Sequence, residues 1–234
     1  MASMSNDRDK KDVFPNTMGT WIHDQLRDGD DGRSLVNEHI MSVYAHPLKV
    51  YFLGSSLRSL GEPEDMVAGF FASRLARDGY FDQWRESNMR LRRWLINGFL
   101  FFLKEEIRRQ KRSGGSSLGE DPVTPMIENA DADFDRAWAQ AMVRDAWLEA
   151  SRSCEADGLE DHWRLFIRHH VDGLPYKEFV GEFDVTPSQA AVMVRTATGR
   201  FKQAVRDRIL IDGVRESDVN SEIQRLMELS LIHI

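Results

Sequence analysis

The sequence predicts an all-α protein made of two small helical domains, and three observations support this. Apolar residues recur at spacings of three and four along most of the 234 residues, as on one face of a helix. No alternating run of Val, Ile and Thr is long enough to form a strand. A stretch at 113–133 that is rich in Gly, Ser, Pro and acidic residues interrupts the helical pattern, as a flexible linker would.

Composition narrows the classes of protein that fit. Hydrophobic residues make up 41% of the chain and charged residues 29%, which is enough apolar side chain for packed cores. The single cysteine, Cys154, excludes an intramolecular disulfide and an all-cysteine metal centre within one chain. The N-terminus is polar, and no segment reaches the roughly 18 to 20 apolar residues that span a bilayer. We therefore expect a protein of the reducing cytoplasm with no membrane contact.

Residues 1–33 are rich in Asp, Gly and Asn and predict an N-terminal arm, in which apolar residues around Trp21 could pin one short helix. A first helical domain is predicted over 34–112. Its first helix would begin with Ser34 as the N-cap and would be kinked at Pro47.

Three further helices complete the first domain. The second helix would start after the break at 61–63, which reads Gly-Glu-Pro, and would end near Gly79. A short helix around 80–84 and a polar loop at 85–90 lead to a long helix over 92–112.

Charge is distributed unevenly along the chain. Residues 85–112 contain nine basic and three acidic side chains, a charge of +6 in a chain whose formal net charge is -7. The following residues, 113–135, contain six acidic side chains and no Lys or Arg. A basic block of this kind is either a solvated helix face or a surface for an anionic partner.

A second helical domain is predicted over 134–211, followed by a C-terminal helical tail at 212–234. Within it, residues 174–201 have the pattern of a helix-turn-helix motif. A short helix is followed by a tight turn at 182–185, and Thr186-Pro187 then opens the next helix with a capping box and a proline at its first position.

The second helix of this motif has an inner and an outer face. In a helix-turn-helix that binds DNA the outer face enters the major groove, where Arg195 would contact guanine and Gln189 adenine. An ordinary helical hairpin is the alternative. The inner face comprises Ala190, Val194, Ala197 and Phe201. The outer face comprises Ser188, Gln189, Ala191, Val192, Arg195, Thr196, Gly199 and Arg200, while Arg200, Lys202, Arg206 and Arg208 would hold phosphates.

The long helix of the first domain interleaves aromatic with basic residues. Such a mixture suits a melted strand, because rings stack on unpaired bases while cations follow the backbone. Aromatic residues at helical spacing are also common in cores. We expect Phe99, Phe102 and Leu103 to be buried and Trp94 to lie at the edge.

These features, in this order, resemble the bacterial extracytoplasmic-function (ECF) sigma factors, which are promoter-recognition subunits of RNA polymerase. The resemblance runs from about residue 14 to 230. Residues 14–17, Phe-Pro-Asn-Thr, match the FPxT-type N-terminus of one variety, and 216–229 resemble its extra terminal helix. Residues 62–75 are similar to conserved region 2.2, 89–115 to regions 2.3 and 2.4, and 174–201 to region 4.2.

The resemblance implies an alternative sigma factor without enzymatic activity, cofactor or metal. Its partners would be core RNA polymerase (largest-subunit clamp helices and flap), promoter DNA and an inhibitory anti-sigma protein, and its acidic linker would run toward the RNA exit path. The clamp helices would contact Asp65, Met66, Val67 and Phe70. The residues at the minus-ten element and the single strand would be Trp84, Arg85, Asn88, Arg90, Arg92, Arg93, Trp94, Asn97, Phe101 and Arg108. Those at the minus-35 element would be Thr186, Ser188, Gln189, Val192, Arg195, Thr196, Arg200 and Lys202.

The chain departs from the family pattern at three places. Ala68 and Gly69 stand where region 2.2 usually has Gln-Glu, so the polymerase contact could be altered. Leu100 and Phe101 replace an Arg-Asn pair of region 2.4. In the recognition helix, Ala191 and Val192 replace Lys and Ser, which lowers phosphate affinity and favours thymine methyl contacts.

Two other functions compete with this interpretation. The chain could be a sigma-like DNA-binding regulator or adaptor that does not itself drive initiation, and Ala68 and Gly69 favour it. An enzyme would instead use Cys154 with histidines such as His162, His169 and His170 as a metal site, but one thiol is a poor anchor and no acidic ligand is suitably placed.

Overall fold

A computed structural model describes residues 20–112 and 127–231, and within these ranges the protein is all α-helical, as the sequence predicts. The described residues contain no strand, and none of their helices has the length and apolar character needed to cross a membrane. The helices are α1 (Thr20–Arg27), α2 (Gly29–Gly54), α3 (Pro63–Arg74), α4 (Tyr80–Glu86), α5 (Leu91–Arg112), α6 (Ile127–Ala156), α7 (Glu160–His170), α8 (Tyr176–Phe179), α9 (Pro187–Ile211) and α10 (Val219–Leu231). Short 3₁₀ helices cover Arg58–Leu60, Val180–Phe183 and Glu216–Asp218.

The start of the chain is more helical than predicted. The expected short helix around Trp21 is present as α1, and its Ile22 is buried. The next helix, α2, begins at Gly29, so the prediction of Ser34 as its N-cap is wrong. Two carboxylates in the first turn, Asp30 and Asp31, favour the earlier start because they interact well with the positive end of the helix dipole. The FPxT-like residues 14–17 lie outside the described residues.

The first predicted domain has the expected series of helices. Pro63 occupies the first position of α3, and a short α4 precedes the long α5. Phe70 lies at the centre of the aromatic packing, with its ring centroid 5.3 Å from that of Phe99 and 6.1 Å from that of Phe102. Phe99, Phe102 and Leu103 are buried and Trp94 is half-buried, as predicted.

The predicted linker is shorter than the sequence indicates. Residues 127–133 belong to α6, which begins at Ile127, and the remaining linker residues, 113–126, lie outside the described ranges. Ala130 is fully buried, and a Cβ added to Gly54 would lie 3.3 Å from the Ala130 Cβ. This close approach to α2 stabilises a helical turn in a segment whose Asp and Asn residues have low helix propensity.

The two predicted domains pack against each other through α2 and α6, which make the most extensive contact between helices in the described part of the chain. Tyr51 of α2 meets Phe134 of α6 edge to face, with ring centroids 6.3 Å apart. α9 and α10 also pack on α6. One continuous buried apolar cluster therefore includes residues from both sides of the predicted domain boundary.

Candidate nucleic-acid interface

The helix-turn-helix begins with a well-formed cap. Thr186 is the N-cap of α9, and its Oγ1 accepts a hydrogen bond from the Gln189 N–H at 3.3 Å. In return, Gln189 Oε1 accepts from the Thr186 N–H at 2.8 Å, which completes the predicted capping box. The preceding turn is closed by Asp184 in the left-handed region, with φ 51°, a conformation that Asp tolerates better than most residues.

The motif has its own small core. Phe179 of α8 and Ala190 and Val194 of α9 are buried together with Leu165 of α7. The predicted inner face of α9 is confirmed for Ala190, Val194 and Ala197, and Phe201 is half-buried. These contacts fix α9 against α7 and α8 and leave the opposite side of its N-terminal half free of the core.

The outer face of α9 is open to solvent. Val192 is 57% exposed, and Ser188, Arg195 and Thr196 are also exposed. Arg195 makes no hydrogen bond or ion pair with the described residues, so its guanidinium is available to an anion or a base edge. Thr196 donates its hydroxyl to the Val192 carbonyl, 3.1 Å away, so it presents mainly its methyl group.

Two residues of α9 that are predicted to contact DNA have partners within the protein. Gln189 uses its amide oxygen in the capping box, which prevents the bidentate amide geometry that would recognise adenine. Arg200 turns away from the outer face and binds Ser153 Oγ at 2.7 Å and Asp157 at 2.7 Å. Lys202 is exposed as expected. Of the two other predicted phosphate contacts, Arg206 pairs with Glu216 and Arg208 with Asp145.

A pocket of about 370 Å³ lies where α3, α4 and α5 meet. Its size is typical of pockets that bind small organic groups. Phe101 stands at its rim with 64% of its surface exposed, the highest value among the large apolar side chains that the structure describes. The lining residues are Arg74, Arg77, Asp78, Tyr80, Gln83, Met89, Trp94, Asn97, Gly98, Phe101 and Glu105.

The wall of this pocket combines rings with hydrogen-bonding groups. The rings of Tyr80 and Trp94 are 5.8 Å apart, and burial raises the pKa of Tyr80 to about 12, so its hydroxyl stays protonated. The Trp94 indole N–H lies close enough to interact weakly with that hydroxyl, but neither atom has a hydrogen bond of ordinary geometry among the described residues. Both polar atoms are shielded from solvent.

Some residues predicted to contact the melted strand are part of the core. Trp84 is only 2% exposed and donates its indole N–H to the Met89 carbonyl at 2.8 Å, so it offers almost no surface to a base in this conformation. Gly213, with φ +82°, lies directly against it, because an added Cβ would approach the Trp84 ring to 3.1 Å. The predicted residues Asn97 and Phe101 line the pocket, whereas Arg85, Asn88 and Arg108 are exposed outside it.

The three arginines at the start of α5 are ion-paired rather than open. Arg92 is 3% exposed, so it offers almost no surface to DNA in this conformation. Carboxylates from α6, from α10 and from the residue after α9 accept their hydrogen bonds. The pairs are Arg90 with Glu222, Arg92 with Asp212 and Glu222, and Arg93 with Asp131 and Asp135.

The predicted polymerase contact on α3 is only partly accessible. Asp65 is exposed and Met66 is half-buried. Val67 and Phe70 are 2% and 0% exposed, so these two side chains stabilise the core and offer no contact surface. A docking surface on α3 would therefore consist of its N-terminal acidic turn and neighbouring exposed residues.

The alternative metal site does not form in the described ranges. No three His, Cys, Asp or Glu side chains of residues 20–112 and 127–231 lie close enough together to hold a metal ion. Cys154 is buried, and burial raises the pKa of its thiol. His169 instead stacks on Tyr176, with ring centroids 4.3 Å apart.

The sequence analysis missed most of the pocket residues, including two arginines and a tyrosine. Arg74 and Arg77 flank the turn after α3, and Tyr80 follows it. The cluster of two arginines beside an aromatic residue was a possible signal, but it lies at the end of a helix that the apolar pattern assigns to the core. Arg74 pairs with Glu105 at 2.7 Å, which orients it along one side of the pocket.

No protein-family model matches this chain, and no curated protein or solved structure is significantly similar to it. The functional assignment therefore rests on the residues of the chain itself.

Proposed function

We propose that this protein is a sigma-type initiation factor of the cytoplasm, which binds core RNA polymerase, contacts duplex DNA through α9 and holds an unpaired base in the pocket of α3, α4 and α5. The observation that carries the proposal is that one chain combines two different features whose chemistry suits nucleic acid. A capped helix-turn-helix has an open outer face, and a separate pocket presents aromatic rings beside arginines.

The chemistry of each feature supports a different form of DNA. Arg195 and the exposed methyl groups of α9 suit the major groove, whose base edges offer acceptors and thymine methyls. The pocket suits a base that has left the stack, because the half-buried Trp94 and the exposed Phe101 line it with aromatic rings. Both forms occur together where a promoter is being opened.

The alternative, a sigma-like adaptor that binds DNA without driving initiation, is favoured by one observation at the expected polymerase contact. Gly69 faces Phe102, and an added Cβ would lie 3.1 Å from the end of that ring. The larger side chain that the resemblance leads one to expect at this position would require Phe102 to shift. Ala68 beside it is exposed and offers no polar group.

Transcription with purified bacterial core polymerase separates these two functions. The sigma-type proposal predicts that the protein co-purifies with core polymerase and produces protein-dependent transcripts from a library of genomic fragments. Trp94→Ala should impair opening and spare binding to duplex DNA, whereas Arg195→Ala should weaken duplex binding. Binding to duplex DNA without any transcripts would support the adaptor, and absence of both would refute the proposal.

A further inference from the structure

Two arginines at the start of α5 share one carboxylate of α10. Arg90 Nη1 donates to Glu222 Oε2 at 2.7 Å, and Arg92 Nη1 donates to Glu222 Oε1 at 2.7 Å. Glu222 therefore uses both oxygens and bridges the two guanidinium groups. An anionic oxygen pair between two arginines is also the arrangement that a backbone phosphate adopts on a basic surface.

The shared carboxylate is shielded from water. The side chain of Glu222 is 5% exposed and that of Arg92 is 3% exposed. The Arg92 guanidinium also lies over the ring of Trp138, with its Cζ 4.2 Å from the ring centroid. While α10 stays in place, a phosphate cannot reach Arg92.

A second contact attaches α10 to the same region. Asp135 of α6 accepts from Arg93 of α5 at 3.4 Å and from Arg225 of α10 at 3.2 Å. Arg93 also pairs with Asp131 at 3.1 Å. The third arginine of the group is thus neutralised by α6, and α10 approaches it from the other side.

The packing that holds α10 is limited to one stripe. Leu226 and Val219 are fully buried, while Ile223 and Met227 are half-buried against the core. α10 has 13 residues and makes few contacts with α5 besides the ion pairs. A nucleic-acid strand that replaced Glu222 would provide new ionic partners for both arginines. The exchange would therefore cost less free energy than breaking the buried ion pairs without a replacement.

We propose that α10 is an intramolecular clasp, in which Glu222 occupies Arg90 and Arg92 in place of a nucleic-acid phosphate and must move aside before the start of α5 can bind a single strand. This inference rests on the proposed function, because it concerns the regulation of the same nucleic-acid site. It accounts for how Arg90 and Arg92 can be kept from nonspecific anions.

The test compares Glu222→Gln with Glu228→Gln in the full chain. Glu228 is exposed on the same helix, so its substitution matches the change in net charge and in residue type. The probe is a fluorescent single-stranded DNA of mixed sequence, and its affinity is measured by anisotropy over a series of salt concentrations. Circular dichroism verifies that each variant retains its helix content.

The clasp predicts that Glu222→Gln binds the strand several-fold more tightly than Glu228→Gln at low salt. Arg90 and Arg92 could each add a phosphate contact in place of Glu222, with Arg92 still held by Asp212, so the slope of log affinity against log salt should steepen by up to about 1.4. Hydrogen exchange of the unmodified protein gives a second readout, since the amides of α10 should lose protection when the strand binds.

The outcomes separate the clasp from the function on which it rests. Equal slopes for the two variants, with unchanged exchange of α10 in a protein that does bind the strand, would overturn the clasp and leave the proposed function standing. If neither the unmodified protein nor any variant bound single-stranded or duplex DNA, the proposed function would fail and the clasp with it. If Glu222→Gln did not fold, the exchange of α10 in the unmodified protein would decide.

Discussion

At the scale of single residues, Arg92 connects α5 with α6, with α10 and with the residue after α9. Its backbone N–H donates to Asp212 at 3.1 Å, and its guanidinium bonds to Asp212 and Glu222. Asp212 also accepts the hydroxyl of Tyr44 from α2 at 2.6 Å. Burial raises the pKa of Asp212 to about 6, although Arg92 and Tyr44 oppose the shift. The carboxylate is thus costly to ionise and depends on its partners.

Removal of this guanidinium should destabilise the fold strongly. In Arg92→Ala, Asp212 and Glu222 would stay buried with fewer partners, and breaking buried pairs of this kind costs roughly 3 to 5 kcal/mol. Urea unfolding followed by circular dichroism measures the loss. Arg108→Ala is the control, because Arg108 is exposed on the same helix and should change stability by less than about 0.5 kcal/mol. A loss below about 1 kcal/mol for Arg92→Ala would contradict this description.

Acid stability should depend on His39 of α2. Burial, together with the charge of Arg208, lowers the pKa of His39 from 6.5 to about 4, against a weaker opposing effect of Asp145. The unfolded chain binds the proton more readily, so this contribution to stability is full above about pH 6.5 and declines as the pH falls toward 4, by roughly 2 to 3 kcal/mol.

Denaturant unfolding between pH 7 and 4 tests this dependence. His39→Gln should flatten the acid decline, whereas the exposed His46→Gln on the same helix should leave it unchanged. If the two variants had identical pH profiles, His39 would not be the group that couples protonation to stability.

The ion pairs of Arg92 show where sequence reasoning stops at the residue scale. Its partners lie 120 and 130 positions further along the chain. Periodicity and capping are local patterns, so they reveal that a basic block exists but not which carboxylates it meets. The arginines therefore looked like an open surface in the sequence and are paired in the structure.

At the scale of elements, local signals predicted the starts of α3 and α9 but not those of α2 and α6. Pro63 and Thr186-Pro187 begin α3 and α9 as expected, because capping and a first-turn proline act through neighbouring backbone groups. The start of α6 was missed since it depends on α2, against which Ala130 packs. The pocket was missed for the same reason, as three helices have to meet before it exists.

The capping box should control both the stability and the position of α9. Thr186→Ala removes the acceptor for the Gln189 N–H and should cost about 1 kcal/mol, with weaker binding of duplex DNA because the first turn frays. Thermal unfolding and anisotropy with mixed-sequence duplex DNA measure the two effects. Ser188→Ala is the control, because Ser188 is exposed and lies two residues further along the chain, and it should leave stability nearly unchanged. Equal stability of the two variants would argue against a functional cap.

The rim of the pocket should contribute to binding of unpaired bases. Phe101→Ala should weaken binding of single-stranded DNA by roughly 1 to 3 kcal/mol through lost stacking, with little effect on folding because the ring is 64% exposed. Leu148→Ala is a suitable control, since Leu148 is 49% exposed on α6 and does not line the pocket. Similar affinities for both variants would show that the rim of the pocket does not contact bases.

At the scale of the whole molecule, the two domains that the sequence predicts pack against each other in the structure. The apolar faces of α2 and α6 were each recognisable, but periodicity does not say which face packs on which. The contact between Tyr51 and Phe134 and the burial of Ala130 place part of the predicted linker inside the core. The division into two domains is a prediction from the sequence, and the described residues add an interface between them.

Ion pairs between the packed helices also neutralise part of the basic segment. The basic segment at 85–112 and the acidic residues at 113–135 lie next to each other in the sequence, and Arg93 bonds directly to Asp131 and Asp135. Glu222 extends this neutralisation from the C-terminal side. A protein that binds DNA in this way must exchange internal carboxylates for phosphates, so its affinity should depend strongly on salt.

The central claim is that one chain holds paired and unpaired DNA at the same time, and bubble-containing duplexes test it most directly. A series of mixed-sequence duplexes would carry an unpaired segment at increasing distance from the paired end, and each affinity would be compared with those of the full duplex and the single strand. Because contacts to one linked ligand reinforce each other, the duplex with one particular spacing should bind more tightly than the full duplex or the single strand. Phe101→Ala should reduce this affinity to that of the full duplex. A bubble that bound no more tightly than the full duplex at every spacing would contradict the claim.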